Sequence, residues 1–304
     1  MRVGLDIGGT KTAGVIVGDD GTVLRSYSAP TGYGPDAVVG AASDAVHGLL
    51  RSAGRAAADL DSVGVGIPGV VDHVSGTVSH AVNLGLRALP LGTRLQDLLG
   101  APVHVENDVN VGALGAFRLL GLDAASSMAY LNLGTGLAAG LVLRGELWRG
   151  SRGVAGEIGH LPIRADGPLC ACGQRGCLEL MASGSAIERA WPVTHPRPVV
   201  ALHAAASAGD PRASEVWATL VENIAAAVRV MVLVVDVDVV VLGGGVTTVG
   251  EPLVGAVRQV LRGWAASSQF LGSLDLADRV RLLPIGSDVA PLGAAQLGVP
   301  VQRR

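Results

Sequence analysis

Leu5-Asp-Ile-Gly-Gly-Thr-Lys-Thr-Ala-Gly-Val-Ile-Val17 is answered 126 positions later by Leu131-Asn-Leu-Gly-Thr-Gly-Leu-Ala-Ala-Gly-Leu-Val-Leu143. Leu5/Leu131, Asp6/Asn132, Ile7/Leu133, Gly8/Gly134, Ala13/Ala139 and Gly14/Gly140 fall in register. Each copy reads as strand, Gly-rich turn, strand. Any two Gly-rich hairpins share some likeness. This match continues into the second strand, and one long offset argues for two related halves, not a solenoid.

Arg2–Ile7, Ala13–Val17, Thr22–Tyr27 and Ser62–Ile67 read as strands. Asp36–Ala53 has helical spacing, with Val38, Val39, Ala42, Val46, Leu49 and Leu50 on one side. Val103–Val105 is a short buried strand leading to a helix at Val109–Leu119, which Asp108 is placed to cap. Pro211 opens a long helix to about Val235. Its Pro costs nothing at the first position, where the N–H has no partner within the helix. Asp238–Leu242, largely β-branched, suits a strand covered on both faces. Val280–Pro284 gives a last strand and Ala290–Leu297 a last helix. No low-complexity linker separates the halves. The expected division is a small α/β domain, 1–110, to which a C-terminal helix in 289–304 returns, and a large α/β domain, 111–288. The hinges then fall near 110 and 288.

Composition narrows the function. Of 304 residues 49% are hydrophobic, 16% charged and 3% aromatic, and 44 are glycine; mean hydropathy is +0.45. A large core is available, and disorder is excluded. Net charge is −3, which provides no electrostatic footprint for nucleic acid or an anionic membrane. The longest apolar run, Val228–Leu242, contains Arg229, Asp236 and Asp238 and is too short to span a bilayer. The N-terminus has no basic region followed by an apolar one, so a cytoplasmic protein is expected. Lys and Arg total 23, and Lys11 is the one lysine. A compact ammonium kept inside a Gly-rich turn fits an anion, although one chance survivor accounts for it as well.

Five motifs carry chemistry. In the first, Asp6-Ile-Gly-Gly-Thr-Lys11, Gly8 and Gly9 let the backbone approach a phosphate, Thr10 adds a hydroxyl and Lys11 a charge. Asp6, at a strand end, suits Mg²⁺ held through water. The spacing is not that of a Walker loop, and a plain tight hairpin is the alternative. In the second, Gly134-Thr135-Gly136 repeats that turn, and two opposed turns would hold a triphosphate across a cleft. Its apolar continuation also fits a plain hairpin. In the third, Glu106-Asn107-Asp108-Val109-Asn110, Asp108 either caps a helix or accepts a proton from a substrate hydroxyl, and the roles are compatible. Asn107 offers a donor and an acceptor.

The fourth motif is His160 with Cys170, Cys172 and Cys177, an imidazole and three thiolates suited to tetrahedral Zn²⁺. All three cysteines are used, and an odd number cannot pair off as disulfides. No coordination position stays open, so the metal is read as structural. It would fix Glu157, His160 and Glu179 around the insertion Arg149–Glu179, where they suit vicinal hydroxyls. One His160 nitrogen would bind metal and the other point outward. The fifth, Gly243-Gly244-Gly245 after a buried strand, leaves room for a flat base or ribose; a simple strand-to-helix turn fits nearly as well.

Together these motifs resemble the ROK family, the bacterial sugar kinases and related repressors of the actin/hexokinase/Hsp70 ATPase superfamily. DIGGTK (6–11), GIPG (66–69) with Asn83, ENDVN (106–110), LGTG (133–136), GEIGH (156–160) and CxCGxxGCxE (170–179) occur in family order. The resemblance implies a two-lobed ribonuclease H-like α/β fold with duplicated halves and a zinc-binding insertion at 157–179. It implies Asp108 as catalytic base and Gly69, Asn83, Asn107, Asp108, Glu157, His160 and Glu179 around a sugar. ATP would lie on Asp6, Gly8, Gly9, Thr10, Lys11, Gly134, Thr135, Gly136, Gly243 and Gly244. The implied reaction is transfer of the γ-phosphoryl group of Mg·ATP to a hexose 6-hydroxyl. Glucose leads; N-acetylmannosamine, glucosamine, fructose and allose are alternatives, and a non-catalytic sugar sensor is the rival class. A homodimer or homotetramer is implied as well. Three departures stand out. Ala138 replaces a glycine usual after the second loop, no aromatic follows Asn83 in Leu-Gly-Leu-Arg, and no helix-turn-helix precedes the first loop, so DNA binding is not expected.

Overall fold

The computed structural model describes residues 1–299. In chain order the elements are β1 (Arg2–Ile7), β2 (Lys11–Val17), β3 (Val23–Pro30), α1 (Pro35–Ser52), β4 (Ser62–Ile67), β5 (Val70–Asp72), β6 (Thr77–Ala81), β7 (Leu86–Leu89), α2 (Leu91–Leu99), β8 (Val103–Asn107) and α3 (Asp108–Leu119). There follow β9 (Met128–Leu133), β10 (Leu137–Leu143), β11 (Glu146–Trp148), α4 (Gly184–Ala190), α5 (Pro198–Ser207), α6 (Pro211–Val235), β12 (Val239–Gly243), α7 (Glu251–Ala266), α8 (Gln269–Gly272), β13 (Val280–Leu282) and α9 (Val289–Ala294). They form two compact units. The first holds Met1–Asp123, Glu146–Gly153 and the chain from Asp288; the second holds Ala124–Gly145 and Val154–Ser287.

In the first unit the sheet order is β3-β2-β1-β4-β8. β1 and β2 form an antiparallel hairpin, and β4 and β8 add in parallel. A small sheet, β5-β6-β7, follows β4. In the second unit β10-β9-β12-β13 repeats that arrangement, a hairpin followed by two parallel strands. The duplication is thus visible in topology, with one slip. Ile7 pairs with Thr12 and Leu133 with Leu137, so the second turn is one residue shorter. The 126-residue offset aligns β1 with β9 and puts the following strands one position out of equivalence. The sequence match at Ala13/Ala139 is not a structural one.

Each unit has its own core. Val3, Leu5, Ile7, Val63, Val65 and Ile67 meet α1 through Val38, Val46 and Leu49. In the second unit Leu131, Leu133, Val240 and Leu242 pack with Leu220, Ile224, Val228 and Met231 of α6. Among the described residues α6 is the single helix long and apolar enough to cross a membrane, and much of its apolar surface is enclosed by this core.

The division falls after Asp123, beyond the expected 110, and the reason is packing. A Cβ at Gly64 would stand 1.8 Å from the Ala294 carbonyl oxygen, so β4 admits α9 only because that position is glycine. A Cβ at Gly115 of α3 would stand 1.9 Å from the Val289 oxygen. Backbone contact at this range binds α3 and α9 to one sheet. The expected C-terminal helix ends earlier than anticipated, at Ala294, and 300–304 lie outside the described residues.

Candidate functional site

The first unit gathers one set of residues at the C-terminal ends of β1, β4 and β8. Asp6 is the penultimate residue of β1, and burial, then the Asp108 and Asp288 carboxylates, push its pKa up to about 7 against the pull of Lys11. The Gly8 N–H donates to Lys11 O at 2.9 Å and closes the turn. Asn107 ends β8. Its Oδ1 accepts from Val109 N at 2.9 Å and Asn110 N at 3.4 Å, while its Nδ2 donates to Gly69 O at 3.2 Å. Asn107 is therefore the cap of α3. The expectation that Asp108 caps is corrected: Asp108 is the first helical residue, one step past the cap. The reason is that Asn107 has the extended backbone a cap needs and Asp108 the helical one.

Behind these residues lies Glu106, whose side chain is 4% exposed. Its Oε1 accepts from Asn107 N and Asn110 Nδ2, both at 2.9 Å, and its Oε2 receives Arg149 Nε at 2.5 Å. A buried charge needs such pairing. A second link ties the Gly-rich turn to the loop of Asn83. Thr31 Oγ1 donates to Gly8 O at 2.8 Å and lies 2.9 Å from Thr12 Oγ1; with its one proton so used, Thr31 receives from Thr12. Gly34 N donates to Leu84 O at 2.9 Å. Residues 31–34 thus join the two loops. A Cβ on Gly9 would stand 3.3 Å from Asn83 Cβ.

The second unit has its own set. Gly134 O and Thr135 O accept from the N–H groups of Gly184 and Ser185, at 2.7 and 3.1 Å, so the start of α4 braces the turn. A cavity of about 420 Å³ opens beside it, lined by Gly134, Thr135, Glu188, Arg197, Gly245 and Thr248 among others. Gly243 and Gly244 do not line it. A Cβ on Gly243 would meet Tyr130, and one on Gly244 the Leu133 carbonyl, each at 2.5–2.6 Å. Of the three glycines it is Gly245 that reaches the cavity. Ala138 lies within β10 opposite Asn132, after the turn has ended, so its methyl leaves the turn backbone untouched.

His160, Cys170, Cys172 and Cys177 come together, their ligand atoms all within 4.8 Å of one another. Cys172 and Cys177 sulfurs are 3.6 Å apart, and Cys170 Sγ is 3.9 Å from His160 Nδ1. A tetrahedron with metal–sulfur bonds of about 2.3 Å has sulfur–sulfur edges of about 3.8 Å, and sulfur–imidazole edges of about 3.6 Å. These two separations match such edges, others in the set reach up to 4.8 Å, and the four residues are the set that would hold one small thiophilic ion. Nδ1 faces the thiols, which leaves Nε2 on the far side of the ring. Glu179 Oε1 lies 3.3 Å from Cys170 Sγ and 3.6 Å from His160 Nδ1. A Cβ on Gly136 would stand 3.2 Å from Glu179 Oε2, so this carboxylate joins the cysteine loop to the Gly-Thr-Gly turn. Glu157, exposed, precedes the short 3₁₀ turn Ile158–His160.

The profile of the ROK family matches residues 2–297. This chain belongs to the ROK family. Its kinship is with the sugar kinases of that family, in the actin/hexokinase ATPase superfamily, and its two-lobed α/β fold is theirs. It is 31% identical over 316 residues to a glucokinase of Streptomyces coelicolor, covering 98% of this chain and 97% of that one. It is 33% identical over 244 residues to an N-acetylmannosamine kinase of Vibrio cholerae, covering 80% and 83%. The crystal structure of a ROK family glucokinase from Streptomyces griseus in complex with glucose and AMPPNP superposes with a TM-score of 0.77 at 31% identity, covering 97% of this chain and 98% of that one.

Sequence reading missed Thr31, Tyr33, Arg149 and the α4–α5 wall of the cavity at Ile187, Glu188 and Pro196–Val199. Each contributes through a contact distant in sequence. The cap signature Ser183 ahead of Gly184, where Ser183 Oγ accepts from Ala186 N at 3.2 Å, was the one local mark of α4.

Proposed function

We propose that this ROK sugar kinase transfers the γ-phosphoryl group of ATP to the 6-hydroxyl of a hexose, with glucose the preferred acceptor. The observation that carries the reading is the full-length similarity to glucokinases, over 98% of the chain. The supporting chemistry lies at the head of α3. Asp108 follows the cap residue Asn107 and its Oδ1 accepts from Val109 N at 3.0 Å; its carboxylate would serve as the general base toward the attacking hydroxyl. Asn107, Gly69 and Asn83 would orient the sugar from the first unit. Glu157, Glu179 and Nε2 of His160 would supply two acceptors and a donor, as the family resemblance implies. Lys11, Gly8, Gly9 and Thr10 would face phosphate, as would Gly134, Thr135 and Gly136, with the nucleoside in the neighbouring cavity. Bound Mg²⁺ would neutralise phosphate charge, with Asp6 the carboxylate placed to hold it through water.

The Cys₃His set would hold one structural zinc ion. With every protein donor in a closed tetrahedron, the ion would organise the loop that carries Glu179 and contribute no open site. A cytoplasmic homodimer or homotetramer completes the reading, on family resemblance.

A second acceptor, N-acetylmannosamine, is favoured by the 33% identity to a kinase of that sugar. The test is a coupled ADP-release assay across glucose, mannose, N-acetylmannosamine, glucosamine, fructose and allose. The highest kcat/KM on glucose is expected. The highest value on another hexose reassigns the substrate. Sugar binding with no ADP release on any of them replaces the enzyme with a sensor.

A further inference from the structure

We propose that Tyr33 is a sugar-binding residue, its ring forming a platform on which the C–H face of a pyranose packs. The inference rests on the reading above that the turn carrying Asn83 faces the sugar.

Three observations converge. The chain has nine aromatic residues, two Phe, four Trp and three Tyr, and among the exposed large hydrophobic residues Tyr33 is the most exposed aromatic, at 74%. A scarce ring with most of its surface in water contributes little to folding. Next, the ring is seated. Gly85 has φ +68°, and a Cβ there would stand 2.6 Å from Tyr33 Cε1 and Cζ and 3.1 Å from Oη. The ring therefore lies over bare backbone, two residues past Asn83, with the rest of its surface open. Finally, the backbone on both sides is tied down. Thr31 is bonded to Gly8 of the phosphate-type turn, and Gly34 to Leu84 of the Asn83 turn. Tyr33 is the residue such a bridge presents outward, between a loop suited to phosphate and one suited to hydroxyls.

The chemistry matches one ligand class. A pyranose with equatorial hydroxyls presents axial C–H groups on each face, and these pack on the electron-rich face of an aromatic ring. Tyrosine adds a hydroxyl able to donate or accept at the rim, and it loses little freedom on binding, having two side-chain torsions. An open-chain polyol has the hydroxyls without the rigid C–H face and would gain little.

The test compares Tyr33→Phe, Tyr33→Leu and Tyr33→Ala in the full-length protein, with the sugar that the panel identifies. Thermal midpoints control for folding, and ATP KM is measured alongside sugar KM. Stacking of this kind corresponds to about a two- to tenfold rise in KM for sugar in the Leu and Ala variants, with ATP KM held and Phe close to the parent. Unchanged sugar KM in Tyr33→Ala overturns the inference, as does a Leu variant equal to the parent, which would make the ring a mere filler. If the parent phosphorylates no hexose, the proposed function fails first. If it phosphorylates one and the variants match it, Tyr33 alone is refuted.

Discussion

Arg149 Nε meets Oε2 of Glu106 at 2.5 Å, and through that carboxylate it is linked to Asn107 and Asn110. The side chain of Glu106 is 4% exposed and that of Arg149 29%. A buried carboxylate that loses its partner is left charged in a low dielectric. Because Arg149 keeps some solvent, Arg149→Ala should cost somewhat less than the full figure of about 3–5 kcal/mol for such a loss. Urea unfolding checks this. Arg149→Lys should recover part of it, since one ammonium replaces the Nε–H without its planar geometry. A variant as stable as the parent would deny the pair its role in holding Asn107.

Asp108→Asn should lower kcat by about 10²–10⁴-fold, the usual worth of a general base. Because Asn107 makes the cap, α3 should still start where it does and hexose binding should persist. Single-turnover phosphorylation with binding by calorimetry separates the two effects. Turnover near the parent level removes Asp108 from the chemistry.

Asp6 gives a pH signature. Its folded pKa stands at about 7 against an ordinary 3.8, so between those values the unfolded chain has lost a proton the folded chain retains. Stability from this group is complete below about pH 4 and declines as pH rises through 7. The protein without nucleotide should therefore lose stability over that interval, and Asp6→Asn should flatten the profile and be the more stable form at pH 8. Denaturant midpoints at pH 5 and 8 decide it. A parent profile that rises across the interval, with the variant unchanged, contradicts the assignment.

Metal analysis of the fully reduced protein should find one zinc per chain. Cys177→Ser should lower zinc content and raise sugar KM more than ATP KM, since Glu179 follows Cys177 by two residues and approaches Cys170 at 3.3 Å. Fully reduced parent protein without metal and with normal activity would refute the zinc site.

The chemistry-bearing residues are legible because they are local. Asp6–Lys11, Glu106–Asn110 and Cys170–Cys177 each lie within a few positions of one another, where turn geometry and ligand spacing constrain residue type directly. Strands such as Ser62–Ile67 and the helix opened by Pro211 are read for the same reason, since burial imposes a period on neighbouring positions. The small β5-β6-β7 sheet and α4 escaped because these elements are 3 to 7 residues long, too short for a period to be read.

The repeated hairpin, the phosphate-type turns, the Asn-Asp pair and the four thiophilic donors are written in neighbouring residues. Tertiary structure alone decided that Asn107 caps in place of Asp108, that the second hairpin is one residue short, that Gly245 reaches the cavity ahead of its two neighbours, and that Thr31 and Gly34 carry Tyr33 onto Gly85. Each of these depends on which backbone groups meet across tens of residues. Such meetings are set by the closure of the whole core, so no single stretch of chain encodes them.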